Sequence, residues 1–133
     1  MPTTSPTRLY TNRWFAKFAR QHGIGNEALR LAVEQAEAGL IDANLGSGVI
    51  KQRVARQGEG KSGGYRTILF FRQGEYAIFV FGFAKNDKAS LTTTELAMYR
   101  KAAKIMFGLS QAQIDREVLA ERLFEVNDDA ADL

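Results

Sequence analysis

Residues 50–86 read IKQRVARQGEGKSGGYRTILFFRQGEYAIFVFGFAKN, three strand-like runs separated by two glycine-bearing connections. In the first run Ile50, Gln52 and Val54 alternate with Lys51, Arg53 and Ala55. A half-buried strand therefore sets Lys51 and Arg53 on one face, roughly 7 Å apart. The second run sets Arg66, Ile68, Phe70 and Arg72 against Tyr65, Thr67, Leu69 and Phe71. The third places Phe79, Phe81, Phe83 and Lys85 at period two, opposite Tyr76, Ile78, Val80, Gly82 and Ala84. The two later runs are apolar on both faces in their middles, as central strands covered on two sides must be. Gln73-Gly74-Glu75 between them is a hairpin signal, making them antiparallel neighbours.

The flanks read as helical cover. Trp14, Phe15 and Phe18 form the apolar stripe of a short helix from Thr11, with Arg13, Lys17 and Arg20 on its other side. Asn26 is the expected N-cap of a second helix running to about Ala38, with Leu29, Leu31, Ala32, Val33 and Ala36 inward and Gly39 as the stop. Residues 40–47 lead into the first strand. Beyond the sheet, Thr92 with Glu95 and Ser110 with Gln113 have capping-box spacing and open two more helices. The first turns Leu96, Tyr99, Ala103, Met106 and Phe107 inward; the second uses Ile114, Val118 and Leu119. Leu123, Phe124 and Val126 either end that helix or form a small edge strand. The expected architecture is α+β: a small, antiparallel-rich twisted sheet of three to five strands, packed by an N-terminal helical hairpin and C-terminal helices. Residues 1–10 are expected to be a flexible lead, residues 11–126 one domain and residues 127–133 an acidic flexible tail.

Composition excludes several chemistries. A chain of 133 residues that is 45% hydrophobic buries a core without staples. It has no cysteine, which rules out disulfides and thiolate metal sites, and a single histidine, His22, which argues against a multi-histidine metal centre or a catalytic triad. We expect no metal and no cofactor. No apolar run has signal-peptide or membrane-span length, so a cytoplasmic protein without membrane contact is expected.

Charge placement says more than the net charge of +3. Eight cations fall in residues 51–88 (Lys51, Arg53, Arg56, Lys61, Arg66, Arg72, Lys85, Lys88) against Glu59, Glu75 and Asp87. A local excess of this kind is the signature of a surface that meets phosphate. The loop QGEGKSGG holds Lys61, and ARQGEGKS fits a relaxed Walker A pattern. That motif requires a helix starting at the lysine, whereas Gly-Gly and a β run follow here. Lys51, Arg53, Lys61, Arg66 and Lys85 instead come from three strands and one glycine turn toward a shared end of the sheet.

These residues carry a family likeness. The run from the K-x-R strand through GKSGGYR to FAKND, continuing into TTELAMYRKAAKIM, resembles the RelE/ParE superfamily of type II toxins, in its HigB/RelE-like branch. The resemblance implies a microbial-ribonuclease-like fold and a metal-independent endoribonuclease, an mRNA interferase that cuts mRNA on the ribosome and inhibits translation. It also implies a cognate antitoxin, with homo-oligomers arising only through the antitoxin complex. By position it assigns Arg53 and Arg66 to phosphate stabilisation, Lys51 and Lys61 to substrate orientation or proton transfer, and Lys85 to a cationic strand end. Arg56, Tyr65, Asn86 and Lys88 are the substrate-binding set, with Tyr65 placed to stack on a base or to orient the phosphate. The superfamily also contains gyrase inhibitors that cut no RNA; that reading, or a catalytically inactive nucleic-acid-binding relative, is the alternative.

Overall fold

The computed structural model describes residues 7–55, 64–84 and 91–127. In chain order the elements are β1 (Arg8–Asn12), α1 (Arg13–His22), α2 (Asn26–Glu37), β2 (Ala43–Gly46), β3 (Val49–Val54), β4 (Tyr65–Arg72), β5 (Tyr76–Ala84), α3 (Thr93–Phe107), α4 (Gln111–Leu119) and β6 (Leu123–Glu125). The fold is α+β, and its sheet has six strands in the order β2-β3-β4-β5-β1-β6. Among the described residues the β1–β5 pairing is parallel and the other four are antiparallel. Among the described residues no helix is long and apolar enough to cross a membrane.

Each face of the sheet carries its own core. Phe15 and Phe18 of α1 and Leu29, Ala32 and Val33 of α2 cover Ile50, Leu69 and Phe79 on one side. On the other, Ala103 of α3 and Ile114 of α4 cover Val49, Ile68, Phe70 and Ile78. The doubly apolar centres of β4 and β5 follow from being sandwiched in this way. Gly82 sets the closeness of α1, since a Cβ there would stand 2.7 Å from the Phe18 ring and 3.2 Å from Phe15. Gly48 does the same for α3: with φ at +81° it completes the two-residue Ser47-Gly48 turn between β2 and β3, and any Cβ would collide with the Phe107 ring.

Several expectations are corrected. Arg8–Asn12 is a strand beside β5, not a flexible lead, because Leu9 and Tyr10 are fully buried on opposite faces. Residues 43–46 form a further strand, which the Ser47-Gly48 turn folds back onto β3. Asn12 caps α1, its Oδ1 accepting from the Phe15 N–H at 2.8 Å, whereas α2 is capped by Gly25 and Asn26 is its first residue. Leu31 and Leu119, expected inside, are exposed. A bulge between Ile68 and Leu69 in the β4–β5 register breaks the phenylalanine alternation. Phe79 therefore joins the α1/α2 core, and Phe81 packs with the α3/α4 core. The two capping boxes form as expected, with both reciprocal bonds present at Thr92/Glu95 and at Ser110/Gln113. Gln73-Gly74-Glu75 is the expected hairpin turn, and residues 123–125 take the strand alternative.

Candidate anion-binding face

The site lies where β3 and β4 run out from under α3. Arg53 pairs directly with Arg66, Lys51 with Ile68 and Val49 with Phe70, so all six side chains share one face. The C-terminal end of α3 is tied down at the far end of the sheet. There the Arg72 Nη1 donates to the Phe107 carbonyl at 2.9 Å, the Tyr76 hydroxyl to the Met106 carbonyl at 3.3 Å and the Arg100 Nε to the Leu45 carbonyl at 2.6 Å. Apolar Val49, Ile68 and Phe70 are buried; Arg53 and Arg66 form the row at the other end of the same face, and Lys51 stands between, across from Ile68. Arg72 does not belong to this group. It pairs with Glu75 at 3.5 Å and lies over the Phe107 ring at 5.4 Å, at the anchored end.

Like charges directly opposite one another on antiparallel strands repel. Arg53 is partly compensated, its Nε lying 3.3 Å from Asp42 Oδ1. The Arg53 side chain is 46% exposed, so this contact is worth only about 0–1 kcal/mol. It also engages one edge of a guanidinium that has five donors in all. Arg66 differs: its Nη1 is buried and has no hydrogen-bond partner among the described residues. Buried donors are nearly always satisfied, so this guanidinium nitrogen has a hydrogen bond to give to an added acceptor.

Asp42 is itself held in place. Gln52, on the opposite face of β3 and 2% exposed, accepts from the Asp42 N–H at 2.7 Å and donates to the Ala32 and Leu40 carbonyls at 3.0 and 3.1 Å. One buried amide thereby fixes the α2–β2 connection and, through Asp42, the orientation of Arg53. Beside it lies a cavity of about 340 Å³ lined by Gln35, Leu40, Ile41, Asp42, Gln52 and Arg53.

Tyr65 is placed otherwise than the resemblance implied. It belongs to the face under α1, is 2% exposed, and its ring meets Phe18 edge-on with centroids 5.6 Å apart. Its hydroxyl lies 3.2 Å from His22 Nδ1. A ring so enclosed offers no platform for a base. Lys61 and Lys85, together with Arg56, Asn86 and Lys88, lie outside the described residues. The strand ends that flank them, Val54, Tyr65 and Ala84, stand side by side in the register. Tyr65 begins a strand, not a helix.

Sequence reasoning missed two features here. Asp42 gave no signal, because its contact with Arg53 depends on β2. Trp14, assigned to a buried stripe, is 46% exposed at the rim of the same face. Burial raises the Tyr99 hydroxyl above its ordinary value, helped by nearby Glu95, so this phenol near the rim is a neutral donor at physiological pH.

An open, mostly antiparallel sheet sandwiched by helices, with Lys51, Arg53 and Arg66 on one face of two neighbouring strands, defines a small α+β domain. The model for the RelE toxin of the RelE/RelB toxin–antitoxin system matches residues 7–126, and the chain belongs to that family. The family makes this chain the toxin component of a toxin–antitoxin pair and implies an antitoxin partner. No curated protein matches the chain.

Proposed function

We propose that this toxin is a metal-independent endoribonuclease that cuts mRNA on the ribosome and so arrests translation in the cytoplasm, with a cognate antitoxin holding it inactive. The observation that carries this reading is the opposed Arg53–Arg66 pair with Lys51 on the same face and a buried Arg66 nitrogen that has no acceptor among the described residues. Membership of a family of generally ribonucleolytic toxins supports it.

In this mechanism a ribose 2′-OH attacks the adjacent phosphorus. The O2′–P bond forms and the P–O5′ bond breaks, giving a cyclic phosphate and a free 5′-hydroxyl. The proton from the 2′-OH passes to a base, and the departing O5′ takes one up. Charge grows on the non-bridging phosphate oxygens as the phosphorane forms, and donors already aimed there stabilise it without reorganisation. Arg53 and Arg66 fill that role, and Lys51 orients the substrate or moves a proton. Lys61 and Lys85 are assigned to the same site, with Arg56, Asn86 and Lys88 along the RNA.

The test is expression without antitoxin, comparing the wild type with Arg66→Ala. Growth arrest with cleavage inside translated codons, lost in a folded Arg66→Ala protein, is the expected result. Arrest with intact transcripts and an induced DNA-damage response would instead favour a gyrase-directed toxin.

A further inference from the structure

Trp14 is the one tryptophan in the chain and one of its large exposed apolar side chains. It sits at the start of α1, where β1 has ended and the edge of β5 would otherwise be bare. Its ring stacks on Phe18 with centroids 5.2 Å apart and planes at 15°, and lies 4.7 Å from Phe81 at 31°. Phe81 in turn stands 6.0 Å from Tyr99 of α3 and 6.0 Å from Phe83. The register ties this aromatic group to the cations. One row across the sheet reads Arg53, Arg66, Phe83, and the next reads Lys51, Ile68, Phe81. From the lysine and arginines the face thus passes within two strands, about 10 Å, to half-exposed aromatic rings.

We propose that Trp14, with Phe81 and Tyr99 beside it, seats an unpaired nucleobase of the RNA whose phosphate lies on Lys51, Arg53 and Arg66. This rests on the ribonuclease reading above and adds a base subsite to it. Single-stranded RNA is held by this combination, a cationic track for the backbone and an aromatic surface for the splayed base. Trp14 is already fixed by two neighbouring rings, so stacking a base on it orders little that is not ordered beforehand. Because every base has a π-face, the subsite contributes affinity and register while tolerating different sequences.

A single tryptophan makes the test direct. The full chain is titrated with a short single-stranded oligoribonucleotide made uncleavable by 2′-O-methylation, and with the same oligonucleotide carrying abasic sites. The intact strand is expected to quench Trp14 emission and the abasic strand to bind without quenching. Trp14→Ala is expected to weaken the intact strand about 5- to 150-fold and leave the abasic strand unchanged. Trp14→Phe keeps a ring for packing and stacking, and is expected to bind close to wild type even where Trp14→Ala fails to fold. Salt-dependent binding with unchanged emission, or equal quenching by the abasic strand, would overturn the base subsite and leave the phosphate site standing. An absence of binding by the wild type would also overturn the base subsite, whereas the ribonuclease reading beneath it, which places the RNA on the ribosome, stands or falls on the mapping of transcript ends.

Discussion

Arg66 faces Arg53 across the β3–β4 pairing, two guanidinium groups at directly opposed positions of one antiparallel ladder. Such a pair costs folding free energy while the site is empty, and an anion placed between the two removes the cost. Local strain of this kind is what a stability optimum would eliminate and a binding site retains.

Replacing one partner therefore separates function from stability. Arg66→Met, which keeps the aliphatic stem, is expected to raise stability by about 0.2–1 kcal/mol while abolishing toxicity. Urea denaturation of the two proteins with unchanged slope checks it. A loss of stability would mean that Arg66 is held by structural contacts instead.

Gln52 is the buried connector behind the site. Gln52→Ala leaves the Ala32 and Leu40 carbonyls and the Asp42 N–H without the Gln52 amide. The Ala32 carbonyl keeps its helical bond to the Ala36 N–H and Leu40 is 65% exposed, so the variant is expected to lose about 1–3 kcal/mol in all. Thermal unfolding measures it, and a midpoint equal to wild type would refute the connector role.

Tyr65 gives the opposite contrast. Its ring fills the core under α1, while its hydroxyl lies 3.2 Å from Nδ1 of the exposed His22. Tyr65→Phe is expected to keep activity and lose about 0.5–1.5 kcal/mol at most. Tyr65→Ala is expected to lose about 3–5 kcal/mol through the cavity it leaves. An inactive but fully stable Tyr65→Phe would restore the tyrosine to the chemistry.

Alkaline pH tests the burial of the other phenols. Desolvation raises Tyr10, Tyr76 and Tyr99 above the ordinary 10.0. A raised phenol favours the neutral form in the folded state, so the stability it contributes is complete below pH 10 and is lost as pH rises through the folded value. The phenolate absorbance of the native protein is expected to appear later than that of the urea-unfolded chain, with unfolding setting in above pH 10. Coincident titrations would show the phenols to be solvated.

Much of the fold was legible because periodicity reports burial directly. The β3, β4 and β5 runs, the Gly74 hairpin and both capping boxes rest on local spacing, and each is present. What escaped was set by pairing across the chain. The RLYTN segment has no strand signature of its own and becomes β1 because β5 offers it a parallel edge. The Val80 offset in β5 is invisible in an unbroken run of apolar residues, which is why Phe79 and Phe81 were expected on one face. At the site, the common face of Lys51, Arg53 and Arg66 could be read from alternation once β3 and β4 were antiparallel neighbours. Which face Tyr65 took followed from the same alternation, yet the family likeness drew it toward the substrate. The Asp42–Arg53 contact and the exposure of Trp14 needed the assembled molecule.

The most direct test of the cationic face as a ribonuclease site is the mapping of mRNA ends in cells during the growth arrest caused by this toxin. With the wild type, new ends inside translated codons should appear within the arrest, and with Arg66→Ala, folded and equally expressed, they should be missing. Uncut transcripts in arrested cells, or identical cleavage by both proteins, would contradict the account.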